Sequence, residues 1–345
     1  MRLSPEELHR AAALPFLSVF GGASVLVSGA SGLIGSAFAE LLLAAKADGL
    51  AVDVVLAGRS EAALRSRFAG VPAPWTFEPH DASRPWRGSR PFDFLLHAAA
   101  PAHPASICSH PAETLRTIVS GTDNVLRHAA ATGARRFLYV SSSEIYGTIP
   151  GKETPWREDE FGAIPILSPR SCYPQGKRAA ETLCAAVAAE TGLDVVIVRP
   201  GHVYGPTITD ADSRAHAQFA RAAATGGPIV LKSGGGQRRS YVHALDAATA
   251  LAALFARGTA GEACNLAGPE VTTVREMAEA FAAAGGVPIR FDVPTASESA
   301  GFNPMSMSAL DGSRLRALGW TPSFDMRSGA AETCRSLRKQ LSMHA

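Results

Sequence analysis

A carboxylate and a hydroxyl stand close together after an apolar run, and they are the first candidates for chemistry. The segment SSSEIYG, residues 141–147, directly follows the run FLYV and places Glu144 two residues after Ser142. A glutamate at the end of a strand can remove a proton from a substrate, or it can cap the turn that follows. We interpret Glu144 as a working base and keep the capping role as the alternative.

A tyrosine and a lysine four residues apart are the second candidates. In CYPQGKRAAE, Tyr173 and Lys177 would lie on one face of a helix. A free tyrosine has a pKa near 10, and lowering it towards 7 takes about 3 pH units, or roughly 4 kcal/mol. An ammonium beside the phenol and a second positive charge in front of it could supply this. Pro174 disfavours helical backbone in the residue before it, so we place Tyr173 at the beginning of the helix.

The elements that must position these residues alternate along the chain. The segments SVLVSG, VDVVLAG, FDFLLHAAA, RFLYVSSS and DVVIVRP are typical of buried strands, and the segments between them are typical of helices. This alternation predicts an α/β fold in which helices cover both faces of a parallel sheet. Beyond residue 200 the alternation weakens and Gly and Pro become frequent, which indicates a smaller second lobe.

A glycine-rich loop connects the first predicted strand to the first long helix. The segment VSGASGLIG has the form G-x-x-G-x-x-G, which allows a tight turn, close approach of backbone N–H groups to a pyrophosphate, and close packing of the helix on the sheet. We therefore predict a dinucleotide at this loop. The predicted contacts in the loop are Gly29, Ser31, Gly32, Leu33, Ile34 and Gly35.

Residues after the next strands complete the predicted dinucleotide site. The second strand ends in VVLAGRSE, where an acid would bind a ribose 2′-hydroxyl and an arginine suits a 2′-phosphate. Arg59 therefore favours NADP slightly over NAD, with a solvated loop residue as the alternative. Asp81, beside Ala82, is placed to meet the adenine, and the small side chains of Ala98 and Ala99 allow close approach of the nicotinamide.

Composition excludes several classes of protein. The 345 residues are 46% apolar and 19% charged, with a net charge of +2, so a nucleic-acid-binding protein is not expected. No apolar run reaches the roughly 20 residues of a membrane span, and a secretion signal is not expected in the interrupted apolar segment near the N-terminus. The cysteines are odd in number and lack a C-x-x-C pair, which indicates free thiols, no metal site and a cytoplasmic protein. They are Cys108, Cys172, Cys184, Cys264 and Cys334.

Taken together, the motifs resemble those of a known family. The sequence is similar to the extended short-chain dehydrogenase/reductases, the NAD(P)-dependent nucleotide-sugar epimerases, dehydratases and decarboxylases. The resemblance runs from the glycine loop through SSSEIYG, YPQGK, VRPGHVYGP, GQRRSYVHALD and CNLAG to LGWTPSFDMRSG. It implies a Rossmann-type doubly wound parallel sheet with a smaller C-terminal substrate-binding lobe. Residues 1–200 would form the NAD(P)-binding domain, to which the chain returns near 238–268, and residues 201–345 would form mainly the substrate-binding lobe.

The resemblance also implies roles for individual residues. Ser142 and Tyr173 would hold the 4-hydroxyl of a sugar, Tyr173 would remove its proton, and Lys177 would bind the nicotinamide ribose. Ser143, which we also assign to catalysis, takes the position of an aspartate that is frequent in dTDP-sugar dehydratases. If Ser143 cannot donate a proton, Glu144 would have to act as both base and acid. The remaining residues that we assign to substrate binding are Arg239 at the diphosphate, His202 in place of the usual asparagine, and His243.

Several functions stay open on this basis. The first is a 4,6-dehydratase that oxidises a nucleotide-diphosphate sugar at carbon 4, eliminates water across carbons 5 and 6, and returns the hydride to the product. The alternatives are a UDP-glucuronate decarboxylase, which PRSCYPQGKRAAETLC resembles closely, a 4-epimerase, and an NAD(P)-binding sensor or scaffold without activity. The dinucleotide would stay tightly bound. A homodimer is expected, with the helix that contains Cys184 either at its interface or buried within one chain.

Overall fold

A parallel sheet of seven strands forms the centre of the larger lobe. The computed structural model of the protein describes residues 2–71, 73–292 and 306–344. The sheet has the spatial order β3-β2-β1-β4-β5-β6-β10, and every neighbouring pair of strands is parallel. Its strands are β1 Ser24–Ser28, β2 Asp53–Gly58, β3 Thr76–Pro79, β4 Phe94–His97, β5 Arg136–Val140, β6 Val195–Pro200 and β10 Ala263–Leu266. The α/β Rossmann-type fold predicted from the sequence is confirmed.

Helices cover both faces of this sheet. Successive residues of a strand point to opposite faces, and in β1 Val25 and Val27 pack in one hydrophobic core while Leu26 packs in another. The first core contains α2 and α8, and the second contains α5 and α6. The α-helices are α1 Pro5–Ala12, α2 Leu33–Ala47, α3 Glu61–Arg67, α4 Pro104–Ser109, α5 Pro111–Ala131, α6 Cys172–Thr191, α7 Ala215–Thr225, α8 Ala244–Arg257, α9 Val274–Gly285, α10 Ser313–Ala317 and α11 Met326–His344.

The smaller lobe is built on two short sheets. In one, β9 pairs with β7, β11 and β13, and in the other β8 pairs with β12. Its strands are β7 His202–Tyr204, β8 Ile229–Leu231, β9 Arg238–His243, β11 Val271–Thr273, β12 Ile289–Phe291 and β13 Met307–Ser308. The chain then rejoins the large sheet, because β10 pairs with β6 in the register Cys264↔Val198.

The structure bears on three features that would indicate other functions: membrane-spanning helices, metal ligands and disulfides. Across the residues that the structure describes, no helix is long and apolar enough to cross a membrane, and no His, Cys, Asp or Glu side chains are grouped to hold a metal ion. All five cysteines are free thiols. Cys184 is fully buried within the chain, where it packs in the same core as α5 residues such as Val125.

The carboxyl ends of the parallel strands bring the predicted site residues together. β1 ends before Gly29, β4 before Ala98, β5 before Ser141 and β6 before Gly201. Because parallel strands place these ends at one edge of the sheet, four connecting segments converge there. The smaller lobe lies over the same edge.

Candidate active site

A cavity of about 480 Å³ lies where the two lobes meet. Its wall contains part of the glycine loop, the ends of β4 and β5, the beginning of α6, and several segments of the smaller lobe. The predicted residues that line it are Gly32, Leu33, Ile34, Gly35, Ala98, Ser142, Ser143, Glu144, Tyr173, Lys177, His202 and Arg239. The structure therefore brings together in one cavity residues that are more than 200 positions apart in the sequence.

The glycine loop leaves no space for side chains. Gly29 has φ 87°, and a Cβ added there would lie 2.6 Å from the backbone nitrogen of Ala99. A Cβ on Gly35 would lie 2.3 Å from the carbonyl oxygen of Gly29. Gly32 is the N-cap of α2, whose first N–H groups are available to an anion. This cradle fits the pyrophosphate of a dinucleotide.

The residues predicted for the adenosine end lie beyond β2 and β3. Arg59 is exposed directly after β2. Asp81 accepts hydrogen bonds from the backbone nitrogen and hydroxyl of Ser83, at 3.0 and 2.8 Å, and these bonds lower the pKa of its carboxyl. The positive charge of Arg59 acts in the same direction. The carbonyl of Ala82 packs close to Gly121 of α5. Ser31 is exposed at the glycine loop.

Tyr173 and Lys177 lie in the first two turns of α6, and both are buried. Burial raises the pKa of Tyr173 to about 12, and the Glu144 charge adds to this, while Ser142, Arg214 and Arg170 oppose it. Burial lowers the pKa of Lys177 to about 8. Its ammonium donates to the carbonyl oxygen of Val140 at 2.7 Å. Among the protein groups, burial outweighs the groups that lower the pKa of Tyr173. The expected effect of Lys177 together with a nicotinamide charge stays a prediction.

Glu144 faces an arginine rather than the turn that follows it. Its carboxylate accepts from Nη2 of Arg170 at 2.9 Å, and both side chains are largely buried. The turn is capped instead by Ser142, whose Oγ accepts from the backbone nitrogen of Glu144 at 3.1 Å. The Nε and Nη1 of Arg170 are buried and have no hydrogen-bond partner among the described residues. The site thus contains an ion pair with spare donors.

The smaller lobe contributes Arg239 and His202 but not His243. Nη1 of Arg239 donates to Nε2 of His202 at 3.0 Å and to Oγ of Ser308 at 2.9 Å. His243 is separated from the cavity wall: it is buried, its ring bonds Glu332 at 2.9 Å, and it caps α8. We therefore propose no substrate contact for His243.

Sequence reasoning missed other cavity residues. Asp212 is buried and accepts from Nε of Arg214 at 2.9 Å, and His216 and His103 lie 3.5 and 3.9 Å from its carboxylate. No local pattern identifies this cluster, whereas Arg170 could have been found in PRSCY, three residues before Tyr173. Buried polar atoms without a partner are concentrated along this wall, which is typical of a ligand site. Within the described ranges these belong to His103, Ser141, Arg170, His202, Thr209, His216 and Gln237.

Comparison with known proteins gives one family and several reactions. The model of the NAD dependent epimerase/dehydratase family matches residues 25–267, more than half of the chain. UDP-glucuronic acid decarboxylase 1 of Arabidopsis thaliana is 29% identical over 323 residues, which cover 92% of this chain and 70% of that protein.

Solved structures point the same way. DesIV, a dTDP-glucose 4,6-dehydratase from Streptomyces venezuelae with NAD and TYD bound, is 26% identical, with a TM-score of 0.76 over 93% of this chain and 98% of that one. UDP-glucuronic acid 4-epimerase from Bacillus cereus, in complex with UDP-glucuronic acid and NAD, is 22% identical. Its TM-score is 0.75, and the match covers 92% of this chain and 99% of that one. At this identity the similarity supports the fold alone. With its sheet, its glycine cradle and these matches, the chain belongs to the NAD dependent epimerase/dehydratase family, whose members are enzymes that modify nucleotide sugars.

Proposed function

We propose that the protein decarboxylates a nucleotide-diphosphate hexuronate, with UDP-glucuronate as the first candidate. The observation that carries this proposal is Arg170, a largely buried guanidinium on the cavity wall beside Glu144. Its Nε and Nη1 have no partner among the described residues, and a guanidinium N–H forms a strong, charge-assisted hydrogen bond with a carboxylate oxygen. A substrate carboxylate would satisfy donors that are otherwise buried at a cost.

The protein side chains have separate tasks in this reaction. Tyr173, whose pKa Ser142 helps to lower, would take the proton of the 4-hydroxyl. The dinucleotide would accept the hydride of carbon 4 and later return it. Arg170 would hold the carboxylate on carbon 5. Once carbon 4 is a ketone, the sugar is a β-keto acid, and the bond between carbon 5 and the carboxylate carbon can break. Carbon dioxide then leaves, the electron pair of that bond moves towards the ketone, and carbon 5 takes up a proton.

Dehydration across carbons 5 and 6 is the second candidate. It is supported by the position of Glu144 near Tyr173 and by the similarity to DesIV. Dehydration also requires a proton donor for the departing hydroxyl, and the residue before Glu144 is Ser143 rather than an acid. Decarboxylation needs no such donor at carbon 6, so the geometry favours it.

The proposal extends to the dinucleotide and to assembly. The family is NAD-dependent, and we propose Arg59 as the residue that lets this chain accept the 2′-phosphate of NADP as well. We propose a homodimer on the basis of the family resemblance and a cytoplasmic location on the basis of the free cysteines. If α5 and α6 form a dimer contact, their exposed faces must supply it, since Cys184 is buried within the chain.

The decisive experiment reads the mass of the product. Purified protein is incubated separately with UDP-glucuronate, UDP-glucose, dTDP-glucose and GDP-mannose. We expect loss of carbon dioxide from UDP-glucuronate and no change in the hexoses. Loss of water from a hexose would establish the dehydratase instead, and an isomer of unchanged mass would establish an epimerase. Tyr173→Phe should abolish every product.

Variants of the carboxylate-binding residue sharpen this test. Arg170→Met should raise KM for the hexuronate at least tenfold, because a charge-assisted pair contributes roughly 1.5–3 kcal/mol. Arg170→Lys should retain part of the affinity. Arg127→Met is the control, since Arg127 is exposed on α5 and pairs with Asp123. An unchanged KM in Arg170→Met would contradict the assigned role.

A further inference from the structure

Arg239 is held in an unusual way for a buried arginine. It is 8% exposed, and within the described ranges no carboxylate lies within ion-pair distance of it. Its Nη1 carries two hydrogens, and both are used, by His202 of β7 and by Ser308 of β13. Its Nε and Nη2 have no hydrogen-bond partner in the same part of the chain. One end of the guanidinium is therefore fixed to protein, and the other edge remains for a ligand in the cavity.

The bond to Arg239 determines the form of the His202 ring. An arginine nitrogen can only donate, so Nε2 of His202 must accept, and the ring is neutral with its proton on Nδ1. Burial lowers the pKa of His202 well below its usual range, and the charges of Arg239, His216 and Arg214 act in the same direction. The ring of Tyr241 lies 5.6 Å away. Burial and the three positively polarised neighbours therefore favour the neutral ring.

We infer that His202 is a positioning residue: a permanently neutral acceptor that aims the free edge of Arg239 at the diphosphate of the substrate. This inference rests on the proposed function for the presence of a diphosphate. The two N–H groups of a guanidinium edge match two phosphate oxygens, and that match is lost if the group rotates. A protonated imidazole could not accept from Arg239 and would repel it.

Binding of inorganic pyrophosphate and of UDP to the full chain tests the inference without turnover. By calorimetric titration, His202→Leu should weaken both ligands roughly tenfold, the effect of about 1.4 kcal/mol. His202→Asn should remain within about threefold of the parent, because its amide oxygen can accept from Arg239. His9→Leu, at an exposed histidine outside the cavity, should bind as the parent does.

A double-mutant cycle separates positioning from direct contact. In an Arg239→Lys background, His202→Leu should cost nothing further, since the group that it positions is gone. A tenfold loss that persists in this background would show that His202 acts by itself and would overturn the inference, as would full affinity in His202→Leu. For the nucleotide sugar, His202→Leu should raise KM and leave kcat nearly unchanged.

The form of the ring can be measured in the unmutated chain. With ¹⁵N-labelled histidine, the signals that disappear in His202→Asn should show a protonated Nδ1 and a bare Nε2 from pH 5 to pH 8. An imidazolium, or a proton on Nε2, would contradict the inference even if the leucine variant does not fold. If pyrophosphate binds as expected but no carbon dioxide is released, the inference stands and the proposed reaction fails.

Discussion

Three arginines line the cavity, and one of them differs from the other two in the kind of partner that it has. Arg170 pairs with the carboxylate of Glu144, Arg214 pairs with that of Asp212, and Arg239 bonds only neutral groups among the described residues. An arginine beside a carboxylate has its charge largely offset, whereas Arg239 keeps its full charge in a low-dielectric wall. We therefore expect the most highly charged part of the substrate to bind at Arg239 and a single carboxylate at Arg170.

A single arginine should decide the preference between the two dinucleotides. Arg59→Ala should weaken NADP roughly tenfold while leaving NAD nearly unchanged, because only NADP carries the 2′-phosphate that this guanidinium could bind. Equilibrium titration of each dinucleotide measures the ratio of the NADP affinity to the NAD affinity. Arg65→Ala provides a control on the same side of the sheet, where Arg65 pairs with Glu61 of α3. An unchanged ratio in Arg59→Ala would exclude this role.

Local spacing determined which site residues could be predicted from the sequence. Glu144 follows Ser142 by two positions and Lys177 follows Tyr173 by four, so each pair is visible in one strand end or one helix turn. The Glu144–Arg170 pair spans 26 positions and the His202–Arg239 pair spans 37, and neither forms a periodic pattern. The sequence also does not show whether a histidine side chain points into the cavity or away from it. For this reason His243 was wrongly grouped with the cavity residues.

At the scale of elements, the glycine loop is a packing contact as well as a ligand site. Gly35 lies in the first turn of α2, and its Cα faces the carbonyl of Gly29 in the turn that precedes the helix. The helix can approach the end of β1 only because no side chain separates them. The strand–loop–helix unit was predictable because its glycines are close in sequence, whereas the contact of Gly29 with Ala98 and Ala99 required knowing which strand lies beside β1.

Two glycines of this loop should respond differently to the same added methyl group. Gly35→Ala would place a Cβ 2.3 Å from the Gly29 carbonyl oxygen, so α2 must shift and we expect a loss of about 2 kcal/mol in stability and at least tenfold in dinucleotide affinity. Gly32→Ala would place its Cβ 3.3 Å from the same atom, which a small adjustment relieves. Thermal unfolding measures the stability of each variant, and dinucleotide titration measures its affinity. Equal effects in the two variants would contradict the packing explanation.

At the scale of the molecule, α11 contributes a buried contact at the junction of the two lobes. Glu332 of α11 bonds His243, which lies at the junction of β9 and α8, and both side chains are fully buried. Burial raises the pKa of the Glu332 carboxyl, but the hydrogen bonds from His243 and Ser336 outweigh burial and lower this pKa. The second lobe was predicted from the weaker strand–helix alternation beyond residue 200 and from the family resemblance. Neither of these could reveal this long-range contact.

The pair should make stability depend on pH in a defined direction. Because the folded-state pKa of Glu332 lies below the unfolded one, its contribution is present above about pH 4.3 and disappears as the pH falls further. Glu332→Gln should therefore lose roughly 1–3 kcal/mol near pH 7, and this deficit relative to the parent should shrink below pH 4. Denaturant unfolding at several pH values measures it. Glu279→Gln, at an exposed position on α9, should show no deficit, and a pH-independent deficit at Glu332 would refute the assignment.

The position of β10 has a consequence for biosynthesis. β10 pairs with β6 at the outer edge of the large sheet, yet β7, β8 and β9 of the other lobe lie between them in the chain. During translation the backbone groups of β6 that face β10 stay unpaired until the ribosome has released Leu266, whereas those on the other side can already pair with β5. By that time much of the other lobe has emerged. A nascent chain arrested soon after Pro200 would thus present a bare strand edge, which is a substrate for chaperones or a seed for aggregates.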